Sequence, residues 1–322
     1  MNQSLEFEVV FCFNPNYQYD QKTIETISSN RRALEQLFFD RLLQVLGVKE
    51  SRSLYPPRTN ALLRDLHNAI VTSSAQVHHK QALLYYILRD CRSKHPDVDK
   101  SFIQQQYLPE RYRIFIDGIY YMDTFDFKKA LLNLTVPSLL PTFPDEILKT
   151  LLLHNKPSEP LLPLAYYQSV SPPLEDPSVL PIFLAYLIEK TGVTSAFRFS
   201  QELGASRHHN LFKDLILYVH SPEMNGDTRA QWAMELINLP LNQEEEQWFD
   251  EILEDAVERG VKGAADTMLI RKITCRKAAG ALNEMGDGLS RKIINGLGWE
   301  DLKLSLGRGL GPRKEAGEFW AQ

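Results

Sequence analysis

PSLLPTFPDEILKTLLLHNK, residues 137–156, is the first of three consecutive 20-residue blocks that each begin with Pro-Ser. The other two are PSEPLLPLAYYQSVSPPLED, residues 157–176, and PSVLPIFLAYLIEKTGVTSA, residues 177–196. Proline has no amide N–H and a preset φ, so it is tolerated in the first turn of a helix, where amides have no partner anyway. Each block therefore predicts a proline-rich loop followed by one helix of about three turns.

This spacing indicates how the helices are arranged. About 20 residues per helix gives about 40 residues per antiparallel pair, which is the scale of HEAT-like repeats. The blocks share little beyond Pro-Ser, so chance recurrence of tight loops explains the spacing better than descent from a repeat. Both explanations predict the same architecture, an all-α fold built as an α-solenoid-like stack of antiparallel helices.

Helical periodicity continues on the N-terminal side of the blocks. Asp20 is placed to cap a helix whose apolar stripe runs over residues 24–46 and ends at Gly47. Further helices are predicted over residues 61–73 and 78–90, and two more over 113–135, the second capped by Asp126. The core positions predicted in this half are Phe38, Tyr86, Ile119, Tyr120, Phe127, Leu131, Pro137, Pro141, Phe143 and Pro144.

Helices are also predicted on the C-terminal side of the blocks, over residues 194–204 and 208–221 and before Pro240. The strongest local pattern is NQEEEQWFDEILEDAVERG, residues 242–260. Asn242 and Glu245 have the spacing of a capping box. Trp248 and Phe249 begin an apolar stripe, and we expect both in the core.

The sequence predicts three regions. Residues 1–19 form an N-terminal arm, in which LEFEVVFCF is either a short strand or a docking segment, and residues 20–275 form the helical domain. Nine of the 16 glycines lie between Gly280 and Gly317. From Val261 onward there are 11 Lys and Arg against 7 Asp and Glu, which is +4, while the rest of the chain is −9. Residues 276–322 are therefore predicted to be a flexible basic tail.

Composition excludes several classes of protein. A net charge of −5 argues against a nucleic-acid binder that uses its whole surface, but it does not argue against a local basic patch. Three widely spaced cysteines imply no disulfide framework, and no Cys-x-x-Cys pair is present. The chain begins without a signal-like cationic region and contains no run of 18 apolar residues, so we expect a cytosolic or nuclear protein without a membrane span.

No catalytic or ligand-binding motif is present. The sequence lacks a P-loop, a G-x-S-x-G elbow and an H-E-x-x-H pair. The pairs His78-His79 and His208-His209 are poor chelators, because adjacent helical residues point about 100° apart. We therefore predict a protein that is not an enzyme and that has no metal, no cofactor and no small-molecule ligand.

Two groups of residues are candidates for binding a partner. One face of the helix near residue 250 is acidic; a solvated face is the more common explanation, and a docking surface for a basic partner is the alternative. Aromatic residues of the tail are candidates for a short linear motif, unless they have no function. The candidate residues are Glu245, Glu246, Asp250, Glu254, Trp299, Phe319 and Trp320.

Six segments, in this order, resemble the α-helical domain of ELYS-like nucleoporins, the fungal form in particular. They are LFFDRLLQVLG (37–47), LYPP (54–57), HKQALLYYILRD (79–90), FIDGIYYMDTFDFKKALLNLTVPSLLPTFPDEIL (115–148), LAYYQSVSPPL (164–174) and ELINLPLNQEEEQWFDEIL (235–253). The resemblance runs from about residue 35 to about residue 275, and residues 119–148 are its most specific part.

The resemblance implies a structural or adaptor protein of the nuclear pore complex, located at the nuclear envelope. Its expected partners are nucleoporins of the Y-shaped outer-ring coat, near the short arm of the Y, whose assembly or anchoring it would support. The N-terminal β-propeller and the AT-hook of animal relatives are not expected here, so chromatin targeting is not transferred. The alternative is a helical-repeat protein that binds nucleic acid through its basic tail, and an unrecognised all-α enzyme ranks third.

Overall fold

The computed structural model describes residues 5–48, 51–221 and 225–274, and all the regular secondary structure in this part of the chain is helical. It contains 17 α-helices, one 3-10 helix and no strand, which confirms the predicted all-α class. The predicted tail, residues 276–322, lies outside the described residues together with Trp299, Phe319 and Trp320. Among the helices that are described, none is both long and apolar enough to cross a membrane.

The chain divides after Val179 into two compact units. The first unit contains α1 Phe7–Val10, α2 Gln21–Ala33, α3 Phe38–Val45, α4 Ser51–Leu54, α5 Asn60–Thr72, α6 Val77–Asp90 (then a 3-10 turn, Cys91–Ser93), α7 Val98–Gln106, α8 Glu110–Asp123, α9 Phe127–Leu134, α10 Pro144–His154 and α11 Leu162–Val170. The second contains nearly all of α12 Val179–Thr191, then α13 Val193–Glu202, α14 Ala205–Val219, α15 Gly226–Ile237, α16 Gln243–Glu258 and α17 Ala264–Thr274. Within each unit the most extensive helix pairs are neighbours in sequence: α8 with α9, α13 with α14, and α16 with α17.

The three Pro-Ser blocks each form one helix, as predicted. Helix α10 begins at Pro144, directly after Phe143, whose φ of 58° is left-handed and turns the chain into the helix. Pro163 lies in the first turn of α11, and Pro181 is the third residue of α12. Proline at these positions removes only amides that have no helical partner, so the helices stay intact.

The apolar stripe over residues 24–46 is two helices rather than one, which corrects the sequence prediction. Glu35 has a φ of 61°, and Leu37 has an extended backbone before α3 begins. The amides of Phe38 and Phe39 donate to the carboxylate of Asp123 at 2.7 and 3.0 Å. A carboxylate from α8 therefore caps α3, and this contact between distant residues has no signal in the local sequence.

The N-terminal segment LEFEVVFCF contains one helical turn, α1, and no strand, which excludes the strand alternative. Phe7, Val10 and Phe11 are buried. The Phe7 ring lies edge-on to His67 at 5.4 Å, and His67 Nε2 lies 2.8 Å from the carbonyl oxygen of Leu5. The segment thus packs on α5, so residues 5–11 belong to the core of the first unit. Helices α4, α7 and α17 are likewise absent from the sequence prediction.

The predicted core residues fall into three groups. Those that are buried are Phe38, Tyr86, Ile119, Phe127, Leu131 and Phe249. Those that are only partly buried are Tyr120, Phe143, Pro144 and Trp248. Pro137 and Pro141 are exposed, which corrects their prediction as core, because they lie in the surface loop before α10 and shape its backbone rather than fill space.

Two buried aspartates connect separate segments of the first unit through hydrogen bonds. Asp90, at the end of α6, accepts hydrogen bonds from the hydroxyls of Tyr19 and Tyr55, both at 2.8 Å. Asp123 accepts from the hydroxyl of Tyr86 at 2.8 Å, in addition to the two amides of α3. Burial raises the pKa of each aspartate to about 7, although the hydrogen bonds that each accepts act in the opposite direction.

Candidate partner-binding surfaces

The acidic face predicted on α16 contains a carboxylate that faces inward. Glu245 is 2% exposed, and it accepts a hydrogen bond from the amide of Asn242 at 2.7 Å, which completes the predicted capping box. Its Oε1 also accepts from Gln201 at 2.8 Å and lies 3.0 Å from His208 Nε2. Burial acts to raise the pKa of Glu245, but these hydrogen bonds outweigh it and the pKa is lowered. Glu245 is a structural residue, which corrects its interpretation as a partner contact.

Helix α17, which the sequence did not predict, covers another part of the acidic face. The guanidinium of Arg271 is buried and donates to Glu246 through Nη2 at 2.6 Å and through Nε at 3.1 Å. Lys272 lies 3.9 Å from the exposed carboxylate of Glu254. Glu246 is thus neutralised within the fold, whereas a role for Asp250 and Glu254 in partner binding stays a prediction.

The side chains around Glu245 also form a serine–histidine–glutamate chain. Ser200 Oγ lies 3.0 Å from His208 Nδ1, and His208 Nε2 lies 3.0 Å from Glu245. This order resembles a hydrolase triad, in which a hydroxyl attacks a substrate. However, Ser200 is 0% exposed and its hydroxyl donates to the carbonyl oxygen of Phe197 at 2.6 Å. No substrate can reach this hydroxyl in the fold, so the chain of hydrogen bonds stabilises the packing of α13, α14 and α16.

The histidines do not form a metal site in the part of the chain that the structure describes. No group of three or more His, Cys, Asp or Glu side chains is arranged to hold an ion there. The ring of His79 lies edge-on to Tyr112 at 5.3 Å, and the ring of His209 lies edge-on to Trp248 at 4.8 Å. These histidines therefore make aromatic contacts.

An apolar groove on the first unit, not predicted from the sequence, is the best candidate for binding a partner. Its volume is about 390 Å³, within the range of roughly 300–1,000 Å³ that is typical of ligand sites. Helices α3, α6 and α8 and the loop over residues 138–143 form its walls. The apolar lining residues are Leu42, Val45, Leu46, Ala82, Leu83, Tyr112, Phe115, Ile116, Leu139, Leu140 and Phe143.

Two of these residues give the groove an apolar rim. Val45 is 70% exposed and Leu140 is 87% exposed, while Leu83 and Ile116 below them are buried. A single exposed aliphatic side chain is ordinary on a protein surface, but exposed side chains that continue into an apolar groove mark an interaction site. Pro141 and Pro144 restrict the loop that presents Leu140, so this wall is preorganised.

The charge at the groove is positive and comes from Arg111. Arg111 and His79 line it, and no acidic side chain does so among the described residues. Arg111 is exposed and lies over the ring of Tyr112 at 5.0 Å. Within the described part of the chain no carboxylate forms an ion pair with Arg111, whereas its neighbour Arg113 pairs with Glu110 at 3.1 Å. The groove therefore suits a partner that is apolar with an acidic edge.

Comparison with known protein families identifies the chain. The family model ELYS, described as nuclear pore complex assembly, matches residues 36–256. The chain belongs to the ELYS family. The matched range includes all the groove residues, and membership of this family implies a role in nuclear pore complex assembly and association with the nuclear pore. ELYS is a family of nuclear pore assembly proteins and not a family of enzymes.

One relative of this ELYS-family chain is the uncharacterized protein ely5 of Schizosaccharomyces pombe. The two are 29% identical over 236 residues, which cover 71% of this chain and 73% of the relative. The resemblance inferred from the sequence segments is thus confirmed at the level of the family.

Proposed function

We propose that this protein is an adaptor of the nuclear pore complex that docks on the Y-shaped outer-ring coat, near its short arm, and supports the assembly or anchoring of that coat. The observation that carries the proposal is the ELYS match over residues 36–256, which covers most of the helical body and contains the whole apolar groove. An adaptor needs a folded body with a surface for its partner, and the apolar groove on the helices of the first unit supports this proposal.

A co-purification experiment tests this proposal. The recombinant chain, and a version that ends at Cys275, are mixed with the reconstituted outer-ring coat and separated by size-exclusion chromatography. Stoichiometric co-elution of both versions is expected, because the proposed surface lies in the helical body.

Two other results would change the conclusion. If the full chain co-elutes with the coat and the version ending at Cys275 does not, the contact lies in residues 276–322. Failure of both versions to co-elute would overturn docking on the coat, and titration with DNA or RNA at several salt concentrations would then test the basic tail.

A further inference from the structure

We propose that the apolar groove of the first unit binds an amphipathic helix of an outer-ring nucleoporin, with apolar side chains in the groove and a carboxylate beside Arg111. The inference rests on the proposed function, because it assigns the helix to the coat. It adds the surface that makes the contact and the chemistry of the segment that fills it.

The walls of the groove indicate that the bound segment is a helix. Helices α3, α6 and α8 satisfy most of their main-chain groups internally, and the loop wall contains Pro141, which has no N–H to donate. An extended segment gains its affinity by pairing with the edge of a sheet, and the described residues contain no strand. A segment that enters this groove must therefore satisfy its own main chain, as a helix does.

The rim of the groove indicates the side chains of that helix. Val45 and Leu140 project at the surface above a buried apolar floor, so the helix needs apolar anchors at the i, i+3, i+4 and i+7 spacing of one face. Arg111 has no carboxylate partner among the described residues, and His79 adds a second basic group. A glutamate or aspartate beside the apolar face would complete an ion pair that the free protein lacks.

Charge argues against the C-terminal tail of the chain as the occupant. Residues 276–322 contain 8 Lys and Arg against 6 Asp and Glu, so their net charge of +2 has the same sign as the groove. The tail is also rich in glycine, which costs about 1 kcal/mol per residue in a helix relative to alanine. Its sequence therefore fits neither the charge nor the helical conformation that the groove requires.

The test measures the affinity of the full-length protein for the reconstituted outer-ring coat by biolayer interferometry. Leu140→Asp and Val45→Asp place a charge at exposed positions on the rim, so they are compatible with the fold. Each is expected to weaken binding about tenfold or more, as for an anchor in the centre of an interface. Leu132→Asp is the matched control, because Leu132 is 71% exposed on α9 and does not line the groove.

A second pair of variants tests the charge of the partner. Arg111→Glu is expected to weaken binding about fivefold or more and to flatten its salt dependence, since rim charges act on the association rate. Arg111→Lys keeps the charge and should bind within about twofold of the wild type. Arg32→Glu is the control for net charge, because Arg32 is exposed on α2, outside the groove.

The outcomes separate this inference from the proposed function. If the wild type does not bind the coat, both fail. If the wild type binds and the Leu140 and Val45 variants bind equally well, only the groove inference fails. The groove inference also fails if the Leu140 and Val45 variants bind the coat like the wild type but differ from it in oligomeric state. The occupant of the groove would then be a second copy of the chain. Light scattering measures the oligomeric state.

Discussion

At the scale of single residues, Glu245 shows how burial changes the role of a charged side chain. From the sequence it is one of several acids on a polar helix face. In the fold its carboxylate accepts from Asn242 and Gln201 and faces His208. The capping-box spacing predicted the first of these contacts, but the other two come from distant helices and leave no pattern in the sequence.

We expect Glu245→Ala to destabilise the protein by about 1–3 kcal/mol, because it removes the acceptor of hydrogen bonds from the Asn242 amide and Gln201 and leaves the buried ring of His208 without this partner. Urea unfolding followed by circular dichroism measures the change. The neighbouring Glu244 is exposed, so Glu244→Ala should stay within about 0.5 kcal/mol of the wild type. Equal effects of the two substitutions would contradict the structural role of Glu245.

The buried carboxyl of Asp90 predicts how the stability of the protein depends on pH. Burial raises its pKa to about 7, and an aspartate in an unfolded chain titrates near 3.9. Between these values the folded state keeps a proton that the unfolded state has lost, so the free energy of unfolding falls as pH rises. Asp123, whose pKa is also raised to about 7, contributes with the same sign.

The measurement is the urea midpoint between pH 5 and pH 8. It should decline in the wild type, and Asp90→Asn should flatten the decline because asparagine does not titrate. Asp97→Asn serves as the control, because Asp97 is exposed and should leave the profile unchanged. A decline in Asp90→Asn that is as steep as in the wild type would rule out this cause.

At the scale of elements, the sequence predicted where most helices occur. It predicted less well where they end and which distant helices they contact. The Pro-Ser blocks and the caps at Asp20, Asp126 and Asn242 are local features, and each precedes a helix in the structure. The break between α2 and α3 was missed because Asp123, far away in the sequence, supplies the cap. The groove was missed for the same reason, since its walls come from four separate segments.

Helix α17 gives a prediction about element packing. Arg271 is buried, pairs with Glu246, donates to the carbonyl oxygens of Ile237 and Leu239, and lies over the ring of Phe249 at 5.1 Å. Removal of one partner from a buried ion pair leaves the other charge uncompensated, so we expect Arg271→Ala to cost about 3–5 kcal/mol.

Thermal and urea unfolding measure this loss, and the chain offers a matched arginine as a control. Arg259 is exposed and pairs with Asp255 one helical turn away at 2.8 Å. Because surface ion pairs contribute about 0–1 kcal/mol, Arg259→Ala should have little effect. If Arg271→Ala were equally mild, α17 would not contribute to stability through this side chain.

At the scale of the whole molecule, the first compact unit can be tested as a separate fold. It extends to Val179, and the amides of Leu174, Glu175 and Asp176 donate to the carboxylate of Asp145. We expect a fragment of residues 1–179 to be helical and to unfold cooperatively, because its core and the whole groove lie within that range.

Circular dichroism and urea titration of the fragment check this expectation. A shorter fragment that ends at Val170 loses the three amides that bind Asp145, and it should be less stable than residues 1–179. A non-cooperative transition for residues 1–179 would mean that the first unit depends on the rest of the chain.

The cap on α3 also determines when this part of the protein can finish folding during synthesis. The amide of Phe38 and the carboxylate that caps it, on Asp123, are 85 positions apart. At about 5–20 residues per second, the ribosome completes that distance roughly 4–17 s after it has made Phe38. During that interval the first amides of α3 lack the Asp123 carboxylate, so the first unit of the nascent chain stays incomplete until α8 emerges.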